Sequence, residues 1–159
     1  LAARPLLEAA VQGGVVRPRA YYELARLRYV EARTKTAPGS GKLSAAQAAA
    51  VLQPLASLRQ QQPLLLEVYA LMAEVWGRAD LALTRRELDV LDEGVECFPW
   101  NASFIYQVAW LNAQHGFKAE AQALIDRGRK IASDAALRTR FEQLRAALTA
   151  PSSDTTTAH

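Results

Sequence analysis

The sequence lacks the residues that hold many small proteins together by bonds other than packing. It contains one cysteine, Cys97, so an internal disulfide is excluded. Its two histidines, His115 before a turn glycine and His159 at the end of the chain, are too few for a protein zinc site. Alternating runs of Val, Ile and Thr are also missing. A β-sheet is therefore not indicated. From the small number of histidines and cysteines we expect no bound metal.

Signals for a membrane span or for catalysis are missing as well. No apolar run reaches the roughly 18 residues that a membrane-spanning helix requires. The chain carries no HExxH, GxSxG, Walker A or GxGxxG motif, so we expect neither enzyme activity nor a cofactor. Cys97 stands beside Phe98 near the end of a predicted helix, and we expect it to be a packed core thiol. The acidic residues of that helix, Asp89, Asp92 and Glu93, are interpreted as a solvated face.

Charge of one sign is only mildly concentrated in this chain, and the nearest approach to a basic stripe is formed by Arg17, Arg19, Arg26, Arg28 and Arg33, which we interpret as a solvated helix face. The 19 Lys and Arg residues and the 16 Asp and Glu residues are interspersed, and the net charge is +3. Nucleic-acid binding would normally require a clustered basic stripe, so nucleic acid is not an expected partner. The chain starts at Leu1 with neither a methionine nor a signal-like segment. We therefore expect a fragment of a longer or processed protein, and its compartment is not indicated.

Strong helix formers are what the sequence has in quantity. Ala, Leu, Gln, Glu and Arg fill the stretches between glycines and prolines, which predicts an all-α protein. Pro54 lies inside one predicted helix, where the missing N–H predicts a kink or an early end. The predicted helix caps are Ser44 with Gln47, Thr84 with Glu87, Asn101 and Asp134. Residues 151–159 are interpreted as a disordered tail.

Three alanines, Ala25, Ala70 and Ala109, lie in the same apolar frame. Apolar residues stand four before, one before and two after each alanine: Tyr21, Leu24 and Leu27; Leu66, Tyr69 and Met72; Ile105, Val108 and Leu111. This repetition predicts helical hairpins over about 18–60, 63–98 and 101–132, preceded by a half-repeat and closed by a capping helix over 134–149. Because each hairpin leaves an apolar face for its neighbour to bury, we expect one domain over 1–150.

The third hairpin resembles the tetratricopeptide repeat, a helix-turn-helix unit of about 34 residues. The matching residues are Ile105, Val108, Ala109, the turn glycine Gly116, and Glu120 with Ala121; the second hairpin matches through Leu66, Tyr69, Ala70, Gly77 and Pro99, and the first through Tyr21, Leu24 and Ala25. The family's tyrosine three residues after the alanine is replaced by Arg28, Ala73 and Asn112. The resemblance implies a right-handed α-α superhelix, that is, a solenoid.

The resemblance also implies a concave groove that binds a partner. Its lining residues would stand three before, one after and four after each alanine: Tyr22, Arg26 and Tyr29; Glu67, Leu71 and Glu74; Tyr106, Trp110 and Ala113. Aromatic side chains are good peptide anchors because they bring large area at little rotamer entropy. In the alternative interpretation, Tyr22, Tyr106 and Trp110 only pack against one another or against the C-terminal helix. Arg26 is expected to pair with Glu67, and the family's Lys and Asn pattern for a terminal carboxylate is absent.

These observations favour a non-catalytic scaffold that binds a peptide, or a neighbouring domain of its parent chain, in the groove. Two alternatives stay open. The first is a structural spacer that forms a homodimer through its N-terminal end, where the first helix has no partner before it. The second is an accessory repeat segment of a larger hydrolase whose active site lies elsewhere in the parent chain.

Overall fold

The structure of the chain is a computed structural model, which describes residues 3–14, 17–36 and 41–150. These residues form eight α-helices and no β-strand, which confirms the all-α prediction. None of the helices in the described ranges is both long and apolar enough to cross a membrane. The predicted tail, 151–159, lies outside the described residues. The helices are α1 (Ala3–Gln12), α2 (Pro18–Lys35), α3 (Ala45–Arg59), α4 (Leu66–Arg78), α5 (Arg85–Cys97), α6 (Ala102–Gln114), α7 (Lys118–Ile131) and α8 (Ala135–Thr149).

All four predicted caps are present. Ser44 accepts a hydrogen bond from the backbone N–H of Gln47, and the Gln47 side chain accepts one from the backbone N–H of Ser44 at 2.8 Å. At the start of α5, the Glu87 carboxylate accepts hydrogen bonds from both the backbone N–H and the hydroxyl of Thr84. The Asn101 side chain accepts from the third N–H of α6 at 2.9 Å, and the Asp134 carboxylate accepts from two N–H groups of α8. Local polar spacing therefore sets where these helices begin.

Helix α3 does not end at Pro54, because a side chain replaces the missing backbone donor. Pro54 has no N–H to donate to the carbonyl of Ala50, four residues earlier. The guanidinium of Arg28, on α2, donates to that carbonyl at 2.9 Å. It also lies within hydrogen-bond distance of Gln53 and Glu8. The prediction that the helix ends early is wrong, because α3 continues to Arg59 and Pro54 is buried within it.

The described helices fall into two compact units, of which the first is Leu1–Phe98. In it, α2 packs on α1 and α3, and α4 packs on α3 and α5. The segment before α3 is joined to the end of α4 by a hydrogen bond from the backbone N–H of Leu43 to the carbonyl of Arg78, at 2.7 Å. Three helices also share one carboxylate, since Glu93 on α5 accepts from the hydroxyl of Tyr69 on α4 and pairs with Arg59 on α3. The acidic residues of α5 are thus partly built into ion pairs and are not only a solvated face.

The second unit, Pro99–His159, contains α6, α7 and α8, and each of these helices packs on the other two. Its core centres on Phe141 of α8, which is fully buried. Gly128 of α7 permits this packing: a Cβ there would lie 2.2 Å from the ring of Phe141. Buried Asn112 is satisfied by a bond from its amide to the carbonyl of Val108 at 3.0 Å. The unit therefore has a core of its own.

Helices α4 and α6 share a burial pattern in which Ala73, and not Ala70, corresponds to Ala109. Helices α4 and α6 begin at 66 and 102 and end at 78 and 114, so they are related by a shift of 36 residues. At that shift Ala73, which is 1% exposed, corresponds to Ala109, whereas Ala70 is only partly buried. Six buried positions of each helix coincide: Val68, Tyr69, Met72, Ala73, Val75 and Trp76 with Phe104, Ile105, Val108, Ala109, Leu111 and Asn112.

Cys97 is exposed, so its prediction as a core thiol is wrong. The buried positions of α5 include Leu91, Gly94 and Val95, which lie on one stripe. Cys97 follows Val95 by two residues, and each residue of an α-helix turns the side chain by about 100°. The thiol therefore points away from the core that Val95 faces.

Candidate functional site

The nine side chains predicted for the groove belong to two different units. Those of α2 and α4 lie in the first unit, and those of α6 lie in the second. In the first unit Tyr29 and Leu71 are buried, 6% and 7% exposed. The hydroxyl of Tyr29 donates to Glu74 at 2.7 Å, which ties α2 to α4. The pKa of Tyr29 is raised well above its usual value, mainly by burial of the side chain and secondly by this hydrogen bond. These residues hold the helices together.

The remaining predicted residues of the first unit form a polar surface. Tyr22 is half-buried, and its burial and the nearby charge of Glu67 raise the pKa of its hydroxyl. Arg26 is exposed and pairs with Glu23 at 3.3 Å, so the expected pairing with Glu67 is not seen. This surface offers a single half-buried aromatic ring between charged side chains.

The second unit contains a cleft between α6 and α8, with a volume of about 340 Å³. Two predicted residues, Tyr106 and Trp110, line it, and both are partly exposed. Ser103, Gln107 and Arg140 are the other lining residues. The four α6 residues are spaced i, i+3, i+4 and i+7, which puts them on one face of the helix. The opposite face supplies the core of the unit, so the cleft is positioned by buried apolar packing.

Tyr106 is held in place on both sides. Its ring centroid lies 5.2 Å from that of Phe141, in an edge-to-face arrangement. The guanidinium carbon of Arg140 lies 4.2 Å from the centroid of the Tyr106 ring, which is a cation–π contact. Tyr106 thus packs against the C-terminal helix, as the alternative interpretation expected, and also lines the cleft. Ala113, the ninth predicted residue, is partly buried and is not among the residues that line it.

Among the residues that line the cleft, the charged side chain is that of Arg140 on α8. Helix α6 has no Asp, Glu, Lys or Arg in its sequence. Arg140 forms no ion pair with any residue of the described ranges, and the neighbouring Glu142 is engaged by Arg129 at 3.1 Å. The cleft therefore combines two aromatic side chains, a hydroxyl, an amide and one exposed cation.

A second cleft, of about 360 Å³, lies among α1, α2 and α3, but its charges are engaged in the fold. Arg4 pairs with Glu8 and Glu31. Arg28 contacts Glu8 and the carbonyl of Ala50. These contacts attach α1 to α2 and α2 to α3, so this cleft is lined by structural ion pairs.

Two of the five residues that line the cleft between α6 and α8, Tyr106 and Trp110, belong to the set predicted for a groove, and the other three do not. Ser103 and Gln107 share the helix face of Tyr106, so helical spacing alone could have found them. Arg140 had no such signal, because the packing of α8 on α6 brings it to Tyr106. No group of three or more potential metal-binding side chains occurs in the part of the chain that the structure describes. Comparison of the chain with protein-family models, with curated proteins and with solved structures found no match.

Proposed function

We propose that this protein is a non-catalytic peptide-binding module, and that its second unit holds the peptide in the cleft between α6 and α8. The observation that carries the proposal is the pair of partly exposed aromatic residues, Tyr106 and Trp110, that line one cleft. Tyrosine and tryptophan are the residues most enriched where a few side chains carry the binding energy of an interface.

The order of Tyr106 before binding favours this role. Contacts with Phe141 and Arg140 fix its ring, so little rotamer entropy remains to be lost when a ligand packs on it. Trp110 adds a large apolar surface with an N–H donor at its edge. Ser103 and Gln107 supply a hydroxyl and an amide that can bond to a peptide backbone.

The size of the cleft favours a peptide over a folded domain as the bound group. Its volume of about 340 Å³ lies at the lower end of the ~300–1,000 Å³ that is typical of small-ligand sites. Such a space accommodates one or two side chains, while the rest of the peptide lies along the helix face. We propose an extended or helical segment of another protein, or of the parent chain.

We also propose that the helical hairpins are tetratricopeptide-like repeats. Helix α7 begins 33 residues after α5 (118 against 85), and α8 begins 33 residues after α6 (135 against 102). This spacing is close to the repeat length of about 34 residues. Gly116, with a φ of +84°, makes the tight turn between α6 and α7.

The test is selection of peptides from a phage-displayed random library on the intact chain, followed by titration of the selected peptides. Trp110→Ala is expected to weaken their binding about tenfold or more, the effect of losing a dominant aromatic anchor. Trp100→Ala is the matched control, because Trp100 is 82% exposed and does not line the cleft. Circular dichroism establishes that both variants are folded. Failure to select any peptide, or equal binding by the Trp110 variant, contradicts the proposal.

A further inference from the structure

We infer that the cleft between α6 and α8 takes an acidic peptide segment, in which Arg140 receives the carboxylate of a Glu or Asp side chain and Trp110 packs against an apolar neighbour. This inference rests on the proposed function and names the chemistry of the ligand. Its basis is the position of Arg140, which lines the cleft over the ring of Tyr106 and has no acidic partner in the described ranges. The carboxylate nearest to it in sequence on α8, that of Glu142, is already paired with Arg129 of α7.

The contact with Tyr106 leaves Arg140 able to bind an anion. A cation–π contact is made with the face of the aromatic ring and consumes no N–H donor. A guanidinium has five N–H donors in a planar fork that matches the two oxygens of a carboxylate. The ring of Tyr106, fixed in turn by Phe141, therefore holds the cation at the cleft with its donors available.

The charge of the cleft specifies a single carboxylate. Helix α6 contributes no charged side chain, and Arg140 is the cation among the five lining residues. One guanidinium balances one carboxylate, whereas a phosphate carries nearly two charges and is usually bound by several cations. The uncharged wall formed by Tyr106 and Trp110 suits an apolar side chain beside the acidic one. An acidic residue flanked by an apolar residue is the ligand that this arrangement fits.

The probes for the test are fluorescein-labelled peptide pools that differ at one fixed position. The fixed residue is Glu, Gln or phosphoserine, and the other positions are randomised among uncharged residues. Acetylated and amidated ends remove the terminal charges. Fluorescence polarisation with the intact chain is expected to show the Glu pool binding about fivefold more tightly than the Gln pool, the size of one exposed charge pair. The difference should shrink at high salt.

Arg140→Gln is expected to abolish the preference for Glu over Gln. Arg145→Gln, which removes another exposed arginine of α8 that does not line the cleft, should keep it. Trp110→Ala should weaken binding of both pools. The inference is overturned if the Arg140 variant retains the preference, or if the phosphoserine pool binds most tightly. It is also overturned if sedimentation velocity shows self-association that Arg140→Gln removes, because the occupant is then a second copy of the chain.

The outcomes separate this inference from the proposed function. If the pools bind in a manner that needs Trp110 but show no preference for Glu, the cleft binds peptides and only the acidic ligand is wrong. If no pool binds, or if binding is independent of Trp110, the peptide-binding function itself is wrong, and the inference fails with it.

Discussion

The bond between Arg28 and the carbonyl of Ala50 is expected to matter only because Pro54 is present. In the native chain Arg28→Leu removes this donor and the contacts with Glu8 and Gln53. We expect a loss of about 1–2 kcal/mol in the free energy of unfolding, in the range for a charge-assisted hydrogen bond at a partly exposed site. Pro54→Ala restores a backbone N–H that can donate to Ala50. In that background the carbonyl keeps a partner when Arg28 is lost.

The four proteins of this double-mutant cycle isolate the bond to the carbonyl. Arg28→Leu removes the ion pair with Glu8 both in the native chain and in the Pro54→Ala background, so the free energy of that pair cancels between the two. Arg28→Leu should therefore cost about 1 kcal/mol less in the Pro54→Ala background, which is the net value of one hydrogen bond. Urea unfolding monitored by circular dichroism measures each free energy of unfolding.

A control cycle uses Glu8→Gln in place of Arg28→Leu. Glu8 pairs with Arg4 and Arg28, and no hydrogen bond or ion pair joins it to α3 among the described residues, so its effect should add to that of Pro54→Ala within about 0.5 kcal/mol. If the Arg28 cycle is additive to the same degree, Arg28 does not replace the missing donor, and the account of the continuous helix is refuted.

Three further perturbations test other parts of the fold. Gly128→Ala should destabilise the chain by about 1–3 kcal/mol in thermal unfolding, although alanine has the better helix propensity, because the new Cβ meets Phe141. Adding Phe141→Leu should recover part of the loss, and a neutral effect of Gly128→Ala contradicts the packing. Thr84→Ala should cost about 1 kcal/mol at pH 7. The hydrogen bond from Thr84 lowers the pKa of Glu87, so the stability that this bond gives is present above the ordinary carboxyl pKa and is lost as pH falls through the pKa of the folded state. Urea titrations should show the cost of Thr84→Ala shrinking towards pH 3, and a cost that does not change with pH argues against the pairing. Cys97 should react with a thiol reagent in the folded protein, and reaction only after unfolding would place it in the core.

Features that depend on a few adjacent residues were predicted from the sequence, and features that depend on packing were not. Ser44 with Gln47 and Asn101 act through bonds to N–H groups within one turn, so spacing alone reveals them. Ala70 and Ala73 differ by three residues, a little under one turn, and both fit an apolar stripe. Only the burial of Ala73 distinguishes them.

The residues that line the cleft differ in the same way in how far the local sequence identifies them. Tyr106 and Trp110 could be named in advance because they occupy a regular helix face. Tyr29 satisfied the same rule yet is buried, and its hydroxyl bonds to Glu74, 45 residues later in the chain. Arg140 reaches the cleft through the packing of α8 on α6, and nothing in its local sequence distinguishes it from the other arginines of α8. Single-sequence patterns give the face of a helix but not what lies opposite it.

The three tryptophans occupy three different depths, and this gives the protein optical probes of its own. Trp76 is 7% exposed, Trp110 is partly exposed beside the cleft, and Trp100 is 82% exposed. A soluble quencher such as iodide should reach Trp100 first and Trp76 last. With Trp100 replaced by phenylalanine, the remaining quenchable emission comes mainly from Trp110. Protection of that emission would then report occupation of the cleft without any label on protein or peptide.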